Sequence, residues 1–205
     1  MRLLIRFVLL LLLATAVYAL WPRTPHLTTF DANKVAKLET RAWQGAKAGA
    51  SLDGAMALYQ LYDRQYGLSP VSAVKITQNQ ARALNLIRTS PDAVDQEKAL
   101  PYFETALGEI QFAVNRPMDA APAAQSLFHA WALTTQSAPN QEIGAAIAQS
   151  WAGLYDKPAS AFTQSANHYA EAMRASGFAP GSSADWQQVE SALAQAYTQL
   201  AATLK

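Results

Sequence analysis

From Asp31 onward, apolar residues recur at helical spacing, and the breaks between periodic stretches fall on residues that start and stop helices. That alternation limits the chain to an all-helical fold. Asp31 opens a helix to about residue 47, with Val35, Leu38, Ala42 and Trp43 on one stripe. Ser51 opens the next, which carries Leu58, Leu61, Tyr62 and Tyr66 to a stop at Gly67. Ser69-Pro70 joins a capping hydroxyl to a proline at the first helical position, where a missing N–H does no harm, and starts a helix to about residue 88. Ser90-Pro91-Asp92 repeats the signal for a segment that ends near Asn115 and that Pro101 is placed to divide. Asp119 caps a helix with Leu127, Phe128, Trp131 and Leu133, and Pro139-Asn140 restarts the chain toward Trp151, Leu154 and Tyr155. A helix from Pro158 runs to Gly177. After a loop over 178–183, Ser183 or Asp185 caps a terminal amphipathic helix with Trp186, Val189, Leu193, Tyr197 and Leu200. No stretch alternates as a strand would. Residues 30–205 are therefore predicted to form a single all-α domain, a helical bundle of about seven to eight helices.

Residues 1–22 stand apart. Met1-Arg2-Leu3-Leu4-Ile5-Arg6 leads into an apolar run to Trp21, and Pro22-Arg23-Thr24-Pro25 follows. Two readings fit. As a signal peptide, the segment has a basic start, an apolar middle and small residues in Val17-Tyr18-Ala19, with cleavage after Ala19. As a transmembrane anchor, residues 3–21 approach the roughly 20 apolar residues that cross a bilayer, with Arg6 and Trp21 suited to its two interfaces. A buried core helix fits poorly because the run has no polar face. Both readings engage a membrane through residues 3–21. The signal-like start places the domain on the extracytoplasmic side, anchored there or, after cleavage, secreted or periplasmic. Arg23, Lys34, Lys37 and Arg41 on the far flank weaken that orientation.

The 205 residues include no Cys, which permits an exported protein and excludes thiol chemistry. Sixteen Lys and Arg balance fifteen Asp and Glu, so there is no basic footprint for nucleic acid. Hydrophobic residues make up 51% of the chain, many of them Ala, with five Trp and eight Tyr for bulk. Small residues let helices approach and aromatic rings fill the spaces between them.

An ungapped offset of 88 pairs Trp43 with Trp131, Pro70 with Pro158, Ser72 with Ser160, Ala73 with Ala161 and Asn79 with Asn167. It suggests two related three-helix units, 31–89 and 119–177, joined by the segment 91–115. Two copies are too few for a solenoid, so a closed bundle is expected.

Leu38-Glu39-Thr40-Arg41-Ala42-Trp43 and Leu61-Tyr62-Asp63-Arg64-Gln65-Tyr66-Gly67-Leu68-Ser69-Pro70, behind one N-terminal apolar segment, resemble uncharacterised single-anchor, all-helical bacterial envelope proteins. Such proteins carry no assigned activity. The resemblance covers the leader and the stretch after it, and it lends no functional residues.

Catalytic signatures are missing. A di-metal carboxylate bundle needs paired Glu-x-x-His motifs. The chain has only the reverse, His168-Tyr169-Ala170-Glu171, which would need ligands such as Glu39 or His129 from elsewhere. The simpler reading puts His168 and Glu171 on one exposed helical face. No metal and no cofactor is expected. Glu104 and Glu109, five apart on a helix, point about 140° away from each other and read as solvated surface. No Gly-rich phosphate loop, nucleophile elbow or His-Glu-x-x-His occurs. No catalytic residue is named, and the chain is not expected to be an enzyme.

One cluster stands out. Tyr59, Tyr62 and Tyr66 share a stripe near Trp43, with Trp131, Trp151 and Tyr155 as a counterpart in the second unit. Such rings either pack a core or line a ligand cavity between helices. The leading expectation, reached by exclusion, is a membrane-tethered, non-catalytic helical domain working through contacts with a protein partner in a bacterial envelope. The alternative is a small-ligand binder whose aromatic cavity uses Trp43, Tyr59, Tyr62, Tyr66 and Trp131.

Overall fold

Capping residues set most of the helix ends. In the computed structural model, which describes residues 17–18, 23–49, 51–90, 93–115 and 118–205, α1 spans Ala32–Lys47. The Asp31 carboxylate caps it by accepting from the Asn33 and Lys34 N–H groups. Ser51 accepts from Gly54 N–H at the start of α2, Leu52–Gln60. That helix widens into a π-helical turn over Leu61–Gln65, then stops at Gly67, whose φ of 64° suits a residue without a Cβ. Ser69 caps α3, Pro70–Thr89, with Pro70 in its first turn. A short α4, Ala93–Glu97, precedes α5, Leu100–Val114, and Asn115 closes α5 in the left-handed region. Then come α6, Ala120–Thr135, and α7, Asn140–Tyr155. A 3-10 turn over Ala159–Phe162 leads into α8, Thr163–Ala175. Asp185 caps α9, Trp186–Thr203, by accepting from Gln188 N–H.

The segment before Asn115 is divided next to Pro101 as expected: a turn at Lys98 and Ala99 separates α4 from α5, and Pro101 sits in the first turn of α5. Two local expectations change. Asp119 occupies the N-cap position of α6 without a capping side-chain bond, and its backbone N–H donates instead to the Gly153 carbonyl at 3.1 Å. The helix expected from Pro158 spends its first turn in 3-10 geometry, so α-helix begins only at Thr163.

The described residues form an all-helical bundle with no strand. Consecutive long helices pack side by side, and α9 returns to pack against α1, so the bundle closes on itself as a ring. Closure follows from burial. Both terminal helices carry an apolar stripe, Val35, Ala36, Ala42 and Trp43 on α1 and Val189, Leu193, Ala196 and Leu200 on α9, and each covers the other. Fully buried Phe103, Ile76, Ile147 and Met173 extend one core around the ring. Each such side chain contributes about 1.5–3 kcal/mol relative to its exposed state. Small residues tighten the joints: Gly45 of α1 and Gly54 of α2 are so close that a Cβ on Gly45 would lie 2.6 Å from the Gly54 Cα.

Residues 23–30 lie across one end of the ring. His26 N–H donates to the Tyr66 carbonyl at 3.0 Å, Arg23 pairs with the buried Asp63, and Phe30 packs edge-on against Tyr66 and Tyr197. No helix among the described residues is long and apolar enough to cross a membrane. The apolar run at 3–21, read as a signal peptide or an anchor, lies outside the described residues except for Val17 and Tyr18.

Candidate functional site

On α1 the side chains at 35, 39, 42, 43 and 46 share the face turned into the ring, and the residue at 39 is a glutamate. Glu39 is only 8% exposed. Tyr169 of α8 donates its hydroxyl to one carboxylate oxygen and Tyr197 of α9 donates to the other. Tyr197 reaches Glu39 because α9 packs on α1, and Tyr169 reaches it from α8, the neighbour of α9.

Beside this carboxyl is a cavity of about 110 Å³. Every long helix contributes to its wall, from Glu39 and Trp43 on α1 through Gln80 on α3 and Phe103 on α5 to Tyr197 on α9. Besides Glu39, the polar side chains that line the space are Tyr62 and Tyr66 at the π turn, Gln80, Ser150, Tyr155, Tyr169 and Tyr197. The remaining wall is aliphatic, with Leu84, Leu107 and Leu127 among its members. Leu27, from the segment across the ring's end, also lines it.

Three tryptophans frame the polar side. Trp43 meets Trp131 edge to face at 5.2 Å between ring centroids and meets Tyr169 at 5.6 Å, while Trp151 meets Tyr169 at 5.5 Å. Edge-to-face pairs hold each ring in one orientation, which keeps the space from being filled by a rotamer change. The π turn serves the same end. Its wider winding directs Tyr62 and Tyr66 to the same wall, with ring centroids 6.0 Å apart.

The electrostatics follow from burial. Loss of water pushes the Glu39 carboxyl up to about 7, against the hydrogen bonds from Tyr169 and Tyr197, which pull it down. Burial first, and the Glu39 charge after it, hold the Tyr62, Tyr155, Tyr169 and Tyr197 phenols above their ordinary range. Burial does the same for Tyr66. Among the described residues lining the cavity, Glu39 is the sole acid and there is no Lys, Arg or His.

Of the residues singled out from the sequence, Trp43, Tyr62, Tyr66 and Trp131 meet on this one wall, as do Trp151 and Tyr155. Tyr59 does not. It is half-buried on the other side of the turn beside Asp63 and Arg23, and burial followed by the Asp63 charge pushes its phenol up to about 12. Glu39, Gln80, Ser150, Tyr169 and Tyr197 belong to the wall without having been recognised as its members. The signal for Glu39 was a lone carboxyl in register with Val35, Ala42, Trp43 and Ala46 on an otherwise apolar stripe.

His168 and Glu171 pair with each other at 3.2 Å on a face that is only partly exposed, and Glu109 pairs with Lys75 at 2.8 Å. Among the described residues no group of three or more His, Asp or Glu is placed to hold a metal ion. No protein-family model, curated protein or solved structure matches the chain.

Proposed function

We propose that this protein is a non-catalytic binder of a small molecule, held at a bacterial membrane or released from it, with its site in the cavity at the centre of the helical ring. One observation carries the reading: all eight long helices give side chains to a cavity of about 110 Å³ whose wall contains a buried, doubly hydrogen-bonded carboxyl. Space beside a buried polar group is occupied by water or by a ligand, whereas space meant to stay empty is lined by apolar groups alone. Contact with a protein partner, the first expectation, rests on exclusion, while the cavity is a specific feature. Attachment through residues 3–21 and an extracytoplasmic domain belong to this proposal on the strength of the leader. So does the relation between 31–89 and 119–177, which the meeting of Trp43 with Trp131 supports. Glu39 is hydrogen-bonded by two phenols, and the cavity wall holds no second carboxyl, His or Lys to work with it as an acid–base pair, which favours binding over catalysis.

The test uses the full chain in detergent micelles, with thermal melts and tryptophan fluorescence read against ethanol, acetone, acetate, methylammonium and dimethylammonium. At least one of these small probes is expected to raise Tm and to alter the emission of the wall tryptophans. Ser150→Met, which projects a longer side chain into the cavity, is expected to abolish both responses while the protein still melts cooperatively. Silence across the whole set, or equal responses in Ser150→Met, contradicts the reading.

A further inference from the structure

We infer that the ligand of this cavity is a small organic cation, an ammonium group with at most a few carbons, held by the Glu39 carboxylate and the tryptophan and tyrosine rings around it. The inference rests on the proposed function and names the chemistry of that same site.

The wall has one acidic side chain and, among the described residues, no basic one to neutralise it. A carboxyl taken out of water without a cation is costly to bury, and an apolar residue of similar size would serve a purely structural core better. Below about pH 7 a proton meets that cost, and above it the carboxylate's charge is balanced by what enters the cavity. The surrounding rings suit that charge as well. Trp43, Trp131 and Trp151, with the phenols of Tyr62 and Tyr155, stand around the space, and aromatic rings attract a desolvated cation through their negative faces. Anions are disfavoured by Glu39 itself. A metal ion is disfavoured because only Glu39 offers a charged oxygen, and divalent ions call for several such ligands. Size sets the upper bound: a cavity of ~150 Å³ takes benzene, so about 110 Å³ takes a molecule distinctly smaller than benzene, of roughly three or four non-hydrogen atoms. Dimethylammonium meets that limit, whereas tetramethylammonium, with its four methyl groups, is bulkier than benzene.

Binding should depend on pH in one direction. The groups that face Glu39 are the phenols of Tyr62 and Tyr66 on the π turn, Tyr155 on α7, Tyr169 on α8 and Tyr197 on α9. All are held neutral well above pH 8. Only Glu39 changes charge near neutrality. A cation competes with its proton, so the apparent affinity falls about tenfold per pH unit below about 7 and levels off above it.

The experiment is calorimetric titration of the full chain in detergent, at pH 6 and pH 8, with dimethylammonium chloride, ethanol as a neutral counterpart of the same number of non-hydrogen atoms, and sodium chloride for ionic strength. The expected result is binding of dimethylammonium alone, weaker at pH 6, with most of a proton released at pH 6 and little at pH 8, and loss of binding by at least tenfold in Glu39→Gln. The glutamine keeps the size and the hydrogen-bonding capacity of the neutral acid, and proton release in the unsubstituted protein provides a second readout. Equal binding of ethanol, or dimethylammonium binding that survives Glu39→Gln, overturns the cation assignment and leaves a neutral-ligand cavity standing. Absence of heat from either probe overturns it too; acetone then separates the cases, since acetone binding keeps the cavity as a site and its failure removes the proposed function as well.

Discussion

Glu39 sits on the apolar face of α1 because two phenols from helices far away in sequence meet it there, Tyr169 at a separation of 130 residues and Tyr197 at 158. With its carboxyl pushed up to about 7, the folded protein holds this proton more tightly than the unfolded chain does. The stabilisation is full below the ordinary value of 4.5 and is lost as pH rises to about 7. For a shift of that size the difference is about 3 kcal/mol. Urea unfolding of the ligand-free protein is therefore expected to show lower stability at pH 8 than at pH 5, and Glu39→Gln to remove this component of the slope. A carboxylate that is more stabilising at pH 8 would contradict the burial account. Glu39 was hard to read from sequence for a physical reason. A glutamate on a helix is most often solvated, and the phenols that make its burial tolerable come from the other end of the chain. Only its position on the stripe of Val35, Trp43 and Ala46 pointed inward.

At the scale of elements, most of what was legible was local. Asp31, Ser51, Ser69 and Asp185 cap the helices they were expected to cap, since a cap joins a side chain to a backbone N–H two or three residues on. Asp119 fails for the complementary reason: its neighbourhood is set by Gly153 of the facing helix, which takes its N–H. The π turn at Leu61–Gln65 carries no signal in apolar periodicity, so helical spacing groups Tyr59 with Tyr62 and Tyr66, whereas only the latter two reach the cavity. The glycines offer a test of packing at this scale. Gly45→Ala would set a Cβ against the α2 backbone and is expected to destabilise by about 2 kcal/mol, whereas Gly108→Ala on α5 meets nothing within 4 Å and is expected to stabilise by about 0.5–1 kcal/mol. Opposite signs in denaturant unfolding support the close α1–α2 joint; a stabilising Gly45→Ala would show that the two helices stand further apart.

For the molecule as a whole, the consequential event is closure of the ring. An all-helical, closed bundle was readable from spacing, punctuation and repeat number, but the return of α9 to α1 depends on contacts between opposite ends of the chain, and the apolar stripe of α9 marks a buried face without saying which helix covers it. Without it Glu39 would lose Tyr197, and the wall formed by Trp43, Trp131 and Trp151 would be open on one side. The ring, the cavity and the buried carboxyl thus stand together, and one diffraction measurement addresses all three. Crystals of the full chain grown with dimethylammonium at pH 8 are expected to show density for a single ion inside the ring beside the Glu39 carboxylate. A cavity filled by the rings of Trp43 and Trp131, or the ion bound only on the outer surface, would contradict the account.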